Sequence, residues 1–158
     1  MQSKIKFKIR SSVFALLLLA VFGFSGCTVP FKADIPQGFA VSKKGKSFLV
    51  YSPDGFKLKI KTEKNNPQKD TLFWAETLKT HLAKNGYFLF DEASSISANL
   101  EWRRITWLMP VNHDYYKYMT AIAVKGKRIY IIEASGEKKL FDNYEEDIEK
   151  IISSVSAK

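Results

Sequence analysis

From Phe56 to Thr62 the chain reads Phe-Lys-Leu-Lys-Ile-Lys-Thr, a strict alternation of apolar and polar side chains. Successive side chains of a strand point to opposite faces. This period of two therefore sends Phe56, Leu58 and Ile60 into a core and Lys57, Lys59 and Lys61 toward water. Ser52-Pro53-Asp54-Gly55 just before it is a turn, since Pro presets the first turn angle and Gly reaches positive φ. Ser47 to Tyr51 supplies the partner strand of a hairpin, and Gly38 to Ser42 is a further short strand beyond the turn at Lys43-Lys44-Gly45-Lys46.

A helix follows. Asn66 is the expected N-cap with Pro67 at the first helical position, and Trp74, Ala75, Leu78 and Leu82 recur at helical spacing up to the stop at Asn85-Gly86. Tyr87 to Phe90 resumes an extended run, and Leu100 to Met109 alternates over a long strand ending at Pro110. Val111 to Asp114 turns the chain. Tyr116, Tyr118, Thr120, Ile122 and Val124 share a face of the next strand, and Arg128 to Ala134 returns after Lys125-Gly126-Lys127. Asp142 with Glu145 reads as the capping box of a last helix, whose apolar stripe is Tyr144, Ile148, Ile151, Ile152 and Val155. The expected fold class is α+β: one antiparallel sheet with two helices packed on it, in the order ββαβ(β)ββα, occupying residues 38–158 as a single domain.

Within that order, two long strands meet at Gly126, Phe141-Asp142 follows, and the final helix closes on Ile152-Ser153-Ser154-Val155. The run from Tyr118 to Val155 thereby resembles the end of the PsbP/DcrB-like fold. The resemblance implies a PsbP-like architecture and an accessory, non-catalytic role, and it carries over no site residues.

The first 26 residues differ in kind. Lys4, Lys6, Lys8 and Arg10 form a basic start, Val13 to Phe22 is an apolar run shorter than the roughly 20 residues of a membrane-spanning helix, and Phe24-Ser25-Gly26-Cys27 ends it. Small residues before a cysteine at this place resemble a bacterial lipobox. The resemblance implies a signal peptide over residues 1–26, cleavage before Cys27, a diacylglycerol thioether on Cys27 and acylation of the new N-terminus. Residues 27–37, with Pro30 and Pro36, then read as a tether. Thr28, in place of the Asp associated with inner-membrane retention, resembles the outer-membrane class. The expectation is a lipoprotein of the cell envelope, held in the outer membrane and facing the periplasm.

Charge and chemistry narrow the function. Without the four cations of the first 26 residues, 21 basic side chains face 16 acidic ones, a net of +5. An exported, tethered domain has no access to nucleic acid, so the expected negative partners are anionic lipid or cell-wall polymer. Cys27 is the one cysteine, so no disulfide forms within the chain. His81 lies beside a helical stripe and His113-Asp114 in a turn, where adjacent side chains do not converge on one target. No phosphate loop, metal-binding helix motif or nucleophile elbow occurs, and neither a metal, a cofactor nor an enzyme activity is expected. The acidic run from Asp142 to Glu149 is explained by helix capping.

Two features remain as contact candidates. Lys57, Lys59 and Lys61, near Lys43, Lys44 and Lys46, are either the solvated face of an amphipathic strand or a contact for anionic headgroups. Trp102, Trp107, Tyr115, Tyr116 and Tyr118 belong mostly to the core and to cross-strand pairs. Trp107 and Tyr115 are the candidates for exposed rings that stack on a sugar or anchor a partner protein. The expected function is a membrane-anchored, non-enzymatic module that binds or stabilises another envelope protein. The alternative is a binder of cell-wall glycan or anionic lipid through a basic and aromatic sheet face.

Overall fold

A computed structural model describes residues 29–111 and 114–158. The element order is β1 (Phe31–Lys32), β2 (Ala40–Lys44), β3 (Ser47–Tyr51), β4 (Lys57–Lys64), α1 (Thr71–Lys84), β5 (Phe88–Ser97), β6 (Leu100–Val111), β7 (Asp114–Lys125), β8 (Arg128–Glu137), α2 (Lys138–Asn143), α3 (Glu145–Ser154) and β9 (Ser156–Ala157). Seven strands make one antiparallel sheet in the order β2-β3-β4-β8-β7-β6-β5, and β1 pairs with β9 beside it. The α+β class stands, with three helices among the described residues instead of two.

The register separates two faces. Ile60, Ile132, Ala121 and Arg104 lie in one row across β4, β8, β7 and β6, and Lys59, Glu133, Thr120 and Ile105 in the adjacent row on the other face. The first face carries the main core: Leu58, Ile60, Trp102, Met119 and Ile132 pack with Phe141 of α2 and Ile148, Ile151 and Ile152 of α3. On the second face α1 covers only part of the sheet, where Ala75 packs with Ile105 and Trp107, and Leu78 and Leu82 lie at the margin.

Three local readings are corrected. The first helix begins at Thr71, because Asp70 and not Asn66 caps it: the Asp70 carboxylate accepts the Phe73 N–H at 2.8 Å. Asn65 is instead buried in the preceding loop. Its amide donates to the carbonyls of Lys69 and Gly126, and its oxygen accepts from the Lys69 N–H and the Trp74 indole. The second correction concerns Asp142, which caps nothing. It lies inside α2, where it pairs with Lys117 and Lys138, and the chain breaks at Tyr144 before α3 starts.

The third concerns the tether. Val29 and Phe31 are buried in the main core, Phe31 pairs with Ala157, and the Lys158 N–H donates to the Pro30 carbonyl. The segment 29–37 is thus tied to the domain, and Ile35 also packs against the core. The signal segment 1–26, Cys27, Thr28 and His113 lie outside the described residues.

Candidate interaction surfaces

β4 is an interior strand, so its lysines sit within a sheet face and not along an edge. Lys57, Lys59 and Lys61 share the face that α1 leaves open, opposite Tyr51, Leu49 and Ser47 on β3 and Ser135, Glu133 and Ile131 on β8. The three ammonium groups are not equivalent. Lys61 pairs with Glu133 at 3.1 Å, whereas Lys57 and Lys59 line a shallow groove of about 280 Å³ with Tyr51, Tyr118 and Glu133. Burial pushes the Tyr118 phenol above its ordinary pKa, so it stays a neutral hydrogen-bonding group there. Of the neighbouring lysines, Lys44 falls on this face, while Lys43 turns to the other and lies over the Phe48 ring.

The two candidate aromatic contacts separate. Trp107 is 1% exposed beneath α1, so it is a core residue and not a contact. The alternation of β6 sends Trp102 and Trp107 to opposite faces, and a helix layer covers each. Tyr115 is 56% exposed.

Tyr115 has company in the extended run that starts at Tyr87. Phe88, Leu89 and Phe90 open β5, the edge strand of the sheet, and all three are exposed, as is Val111 at the end of β6. Three consecutive large apolar residues cannot all face one core in a period-two strand, and that was the available signal. The pairing of β5 with β6 shifts between Leu89 and Asp91, and at this bulge the Phe90 ring lies 5.1 Å from the Lys117 ammonium. These residues cluster at one end of the sheet, with Tyr115 opposite Pro110 and Phe88 opposite Leu108. An apolar group at an edge strand offers both side chains and unpaired backbone groups to a second chain.

Lys117 anchors this end from within. Its side chain is 5% exposed, pairs with Asp142 at 2.5 Å and with Glu145 at 3.8 Å, and points between the Phe90 and Phe141 rings. The ammonium of Lys117, with that of Lys138, holds the Asp142 carboxyl below the usual carboxylate pKa. The nearby acidic concavity of Asp142, Glu145, Glu146 and Glu149 has no group of ligand side chains arranged for a metal among the described residues. His81 is exposed on α1. Among the described residues, no helix is long and apolar enough to cross a membrane.

Comparison with solved structures places this architecture. CyanoP, the cyanobacterial PsbP of Synechocystis, is similar with a TM-score of 0.55 at 10% identity, over 89% of this chain and 99% of that one. LpqN of Mycobacterium tuberculosis, a protein involved in cell envelope biogenesis, is similar with a TM-score of 0.57 at 10% identity, over 80% of this chain and 82% of that one. A crystal structure from Bacteroides thetaiotaomicron gives 0.55 at 16% identity over 82% of this chain, which spans 45% of the Bacteroides chain. No family model and no curated protein matches the sequence. The fold is PsbP-like, and at these identities the likeness concerns the fold alone.

Proposed function

We propose that this protein is a lipid-anchored module of the cell envelope that works without catalysis, by docking a second envelope protein. The observation that carries the reading is the exposed apolar end of the sheet, formed by Phe88, Leu89, Phe90, Val111 and Tyr115 on and beside an edge strand. Exposed aromatic rings that lose little conformational freedom on burial are the usual anchors of protein interfaces. The lipobox-like Phe24-Ser25-Gly26-Cys27 supports the anchor, and Thr28 supports the outer membrane. The fold shared with an envelope-biogenesis protein of another bacterium is consistent with the compartment.

The test is site-specific photocrosslinking in cells, with the reactive residue at Phe88 or Tyr115 and a control at Tyr51 on the open sheet face. A discrete adduct from the first two positions and none from the control is the expected result. The same adducts from all three, or none, would remove the apolar end as a docking site.

A second reading keeps the open sheet face as a binder of cell-wall glycan or anionic lipid. The groove favours it, because Lys57 and Lys59 line it together with Tyr51 and Tyr118. Saturable binding of isolated cell-wall fragments that is lost in Tyr51→Ala would select it over the first.

A further inference from the structure

The end of the sheet opposite the apolar cluster is strongly cationic. Lys46 in the β2–β3 turn, Lys64 at the close of β4, and Lys127 and Arg128 at the β7–β8 turn surround a concavity of about 1060 Å³, and Glu63 is the one acidic side chain lining it. Lys64 and Arg128 are direct partners across β4 and β8, so two like charges stand opposite each other at the lip. Like charges so placed repel, and a shared anion relieves the repulsion. None of the four cations is in an ion pair with another described residue.

The surface is held in place by the fold. Asn65 ties the loop after β4 to the β7–β8 turn, its N–H donating to the Lys127 carbonyl and its side chain to that of Gly126. Thr71 at the start of α1 accepts the Val124 N–H, fixing the same corner. Pro30 lines this concavity and is secured by the Lys158 N–H, with Val29 and Phe31 buried on either side. Two residues, Thr28 and Val29, separate Cys27 from Pro30, and the three steps between them reach at most about 11 Å. A lipid on Cys27 would therefore bring this end of the domain, and not the lysine face of β4, against the headgroups.

We propose that Lys46, Lys64, Lys127 and Arg128 form the membrane-facing surface of the anchored domain and take anionic lipid headgroups, which turns the apolar β5 end away from the bilayer. The inference rests on the lipid-anchor reading. It gives the charged end a task that the docking function does not use. It also fixes the orientation in which a partner must approach, since β6 alone spans about 40 Å between the two ends.

The experiment uses the lipidated protein, purified from membranes and reconstituted into vesicles of phosphatidylcholine alone or of phosphatidylcholine mixed with phosphatidylglycerol. Acetylation rates of single lysines are read by mass spectrometry. Lys46, Lys64 and Lys127 should label about fivefold more slowly on the anionic vesicles, an effect comparable to one headgroup contact per lysine. The protection should vanish near 0.5 M salt, where the Debye length is about 4 Å. Lys57 and Lys59 should label alike on both. Equal rates at the three lysines on the two vesicle types, or protection of Lys57 and Lys59 in their place, overturns the orientation while leaving the anchor intact. Failure of the protein to float with neutral vesicles overturns the anchor itself, and the inference with it.

Discussion

The Lys117 ammonium stands 2.5 Å from the Asp142 carboxylate, with the lysine side chain only 5% exposed. This pair joins β7 to α2 and places a cation between Phe90 of the apolar end and Phe141 of the core. Only the lysine end of this pair is buried, since the Asp142 side chain is 36% exposed and keeps Lys138 as a partner. Lys117→Ala removes the packed stem along with the pair and should lower stability by about 2 kcal/mol. Lys117→Met keeps the packed stem and leaves Asp142 with Lys138 at 2.7 Å, so its loss should be smaller. Urea unfolding of the three proteins orders them.

Acid should unfold the protein partly through Asp142 and Asp54. The cations of Lys117 and Lys138 depress the Asp142 pKa, and the hydroxyls of Ser52 and Tyr144 depress that of Asp54. A carboxyl whose folded pKa lies below its unfolded value stabilises the fold above that unfolded value, about 3.9, and the gain disappears as pH falls through the folded pKa. Stability measured by urea titration should thus decline below about pH 4. Asp142→Asn should be less stable at neutral pH and show a shallower decline in acid.

Trp107 and Tyr115 should respond oppositely to truncation. Trp107→Ala opens a void under α1 and should cost about 3–5 kcal/mol. Tyr115→Ala removes an exposed ring and should change stability by less than about 0.5 kcal/mol, yet abolish the crosslink expected at the apolar end. A large loss of stability in Tyr115→Ala would contradict the exposure on which the docking surface depends.

The lysines of β4 should matter little to folding. Lys57 and Lys59 make no ion pair among the described residues, and the Lys61–Glu133 pair is partly solvated. Changing all three to Gln should lower stability by no more than about 1 kcal/mol. A thermal melt of the triple variant checks this.

Cys27→Ser should release the protein from the membrane fraction and end its labelling with radioactive palmitate, since one residue carries the whole anchor in this reading. Continued membrane retention with unchanged labelling would remove lipidation and leave the sheet surfaces to explain attachment.

Local pattern made much of the fold legible. The β3–β4 hairpin follows from one proline-glycine turn and an unbroken alternation, and the β7–β8 hairpin from Lys125-Gly126-Lys127, where Gly126 takes φ +57°. The β5–β6 hairpin gave no such signal. Its turn residues Ala98 and Asn99 both adopt positive φ without a glycine, and Ala is an uncommon residue in that conformation. The early start assigned to α1 failed for a related reason. Asn66-Pro67 is a good local cap, but Asn65 is committed to the distant turn at Gly126, and the helix waits for Asp70.

The sequence by itself determined which side chains share a face, because alternation along a strand is a property of the backbone. Lys57, Lys59 and Lys61 had to lie together, and Trp102 and Trp107 had to lie apart. Which faces would be covered was decided only by the tertiary structure. Where both faces of a strand carry large apolar residues, the pattern is symmetric. The placement of α1 over Ile105 and Trp107, and of α2 and α3 behind Trp102, resolves it. The same holds for the two ends of the sheet. Lys46, Lys64, Lys127 and Arg128 are scattered over more than 80 residues and meet because three turns fall at one end, while Phe88 and Tyr115 meet at the other. Charge convergence of this kind depends on strand register and on how far each strand runs, quantities fixed by long-range pairing and not by any local stretch of the chain.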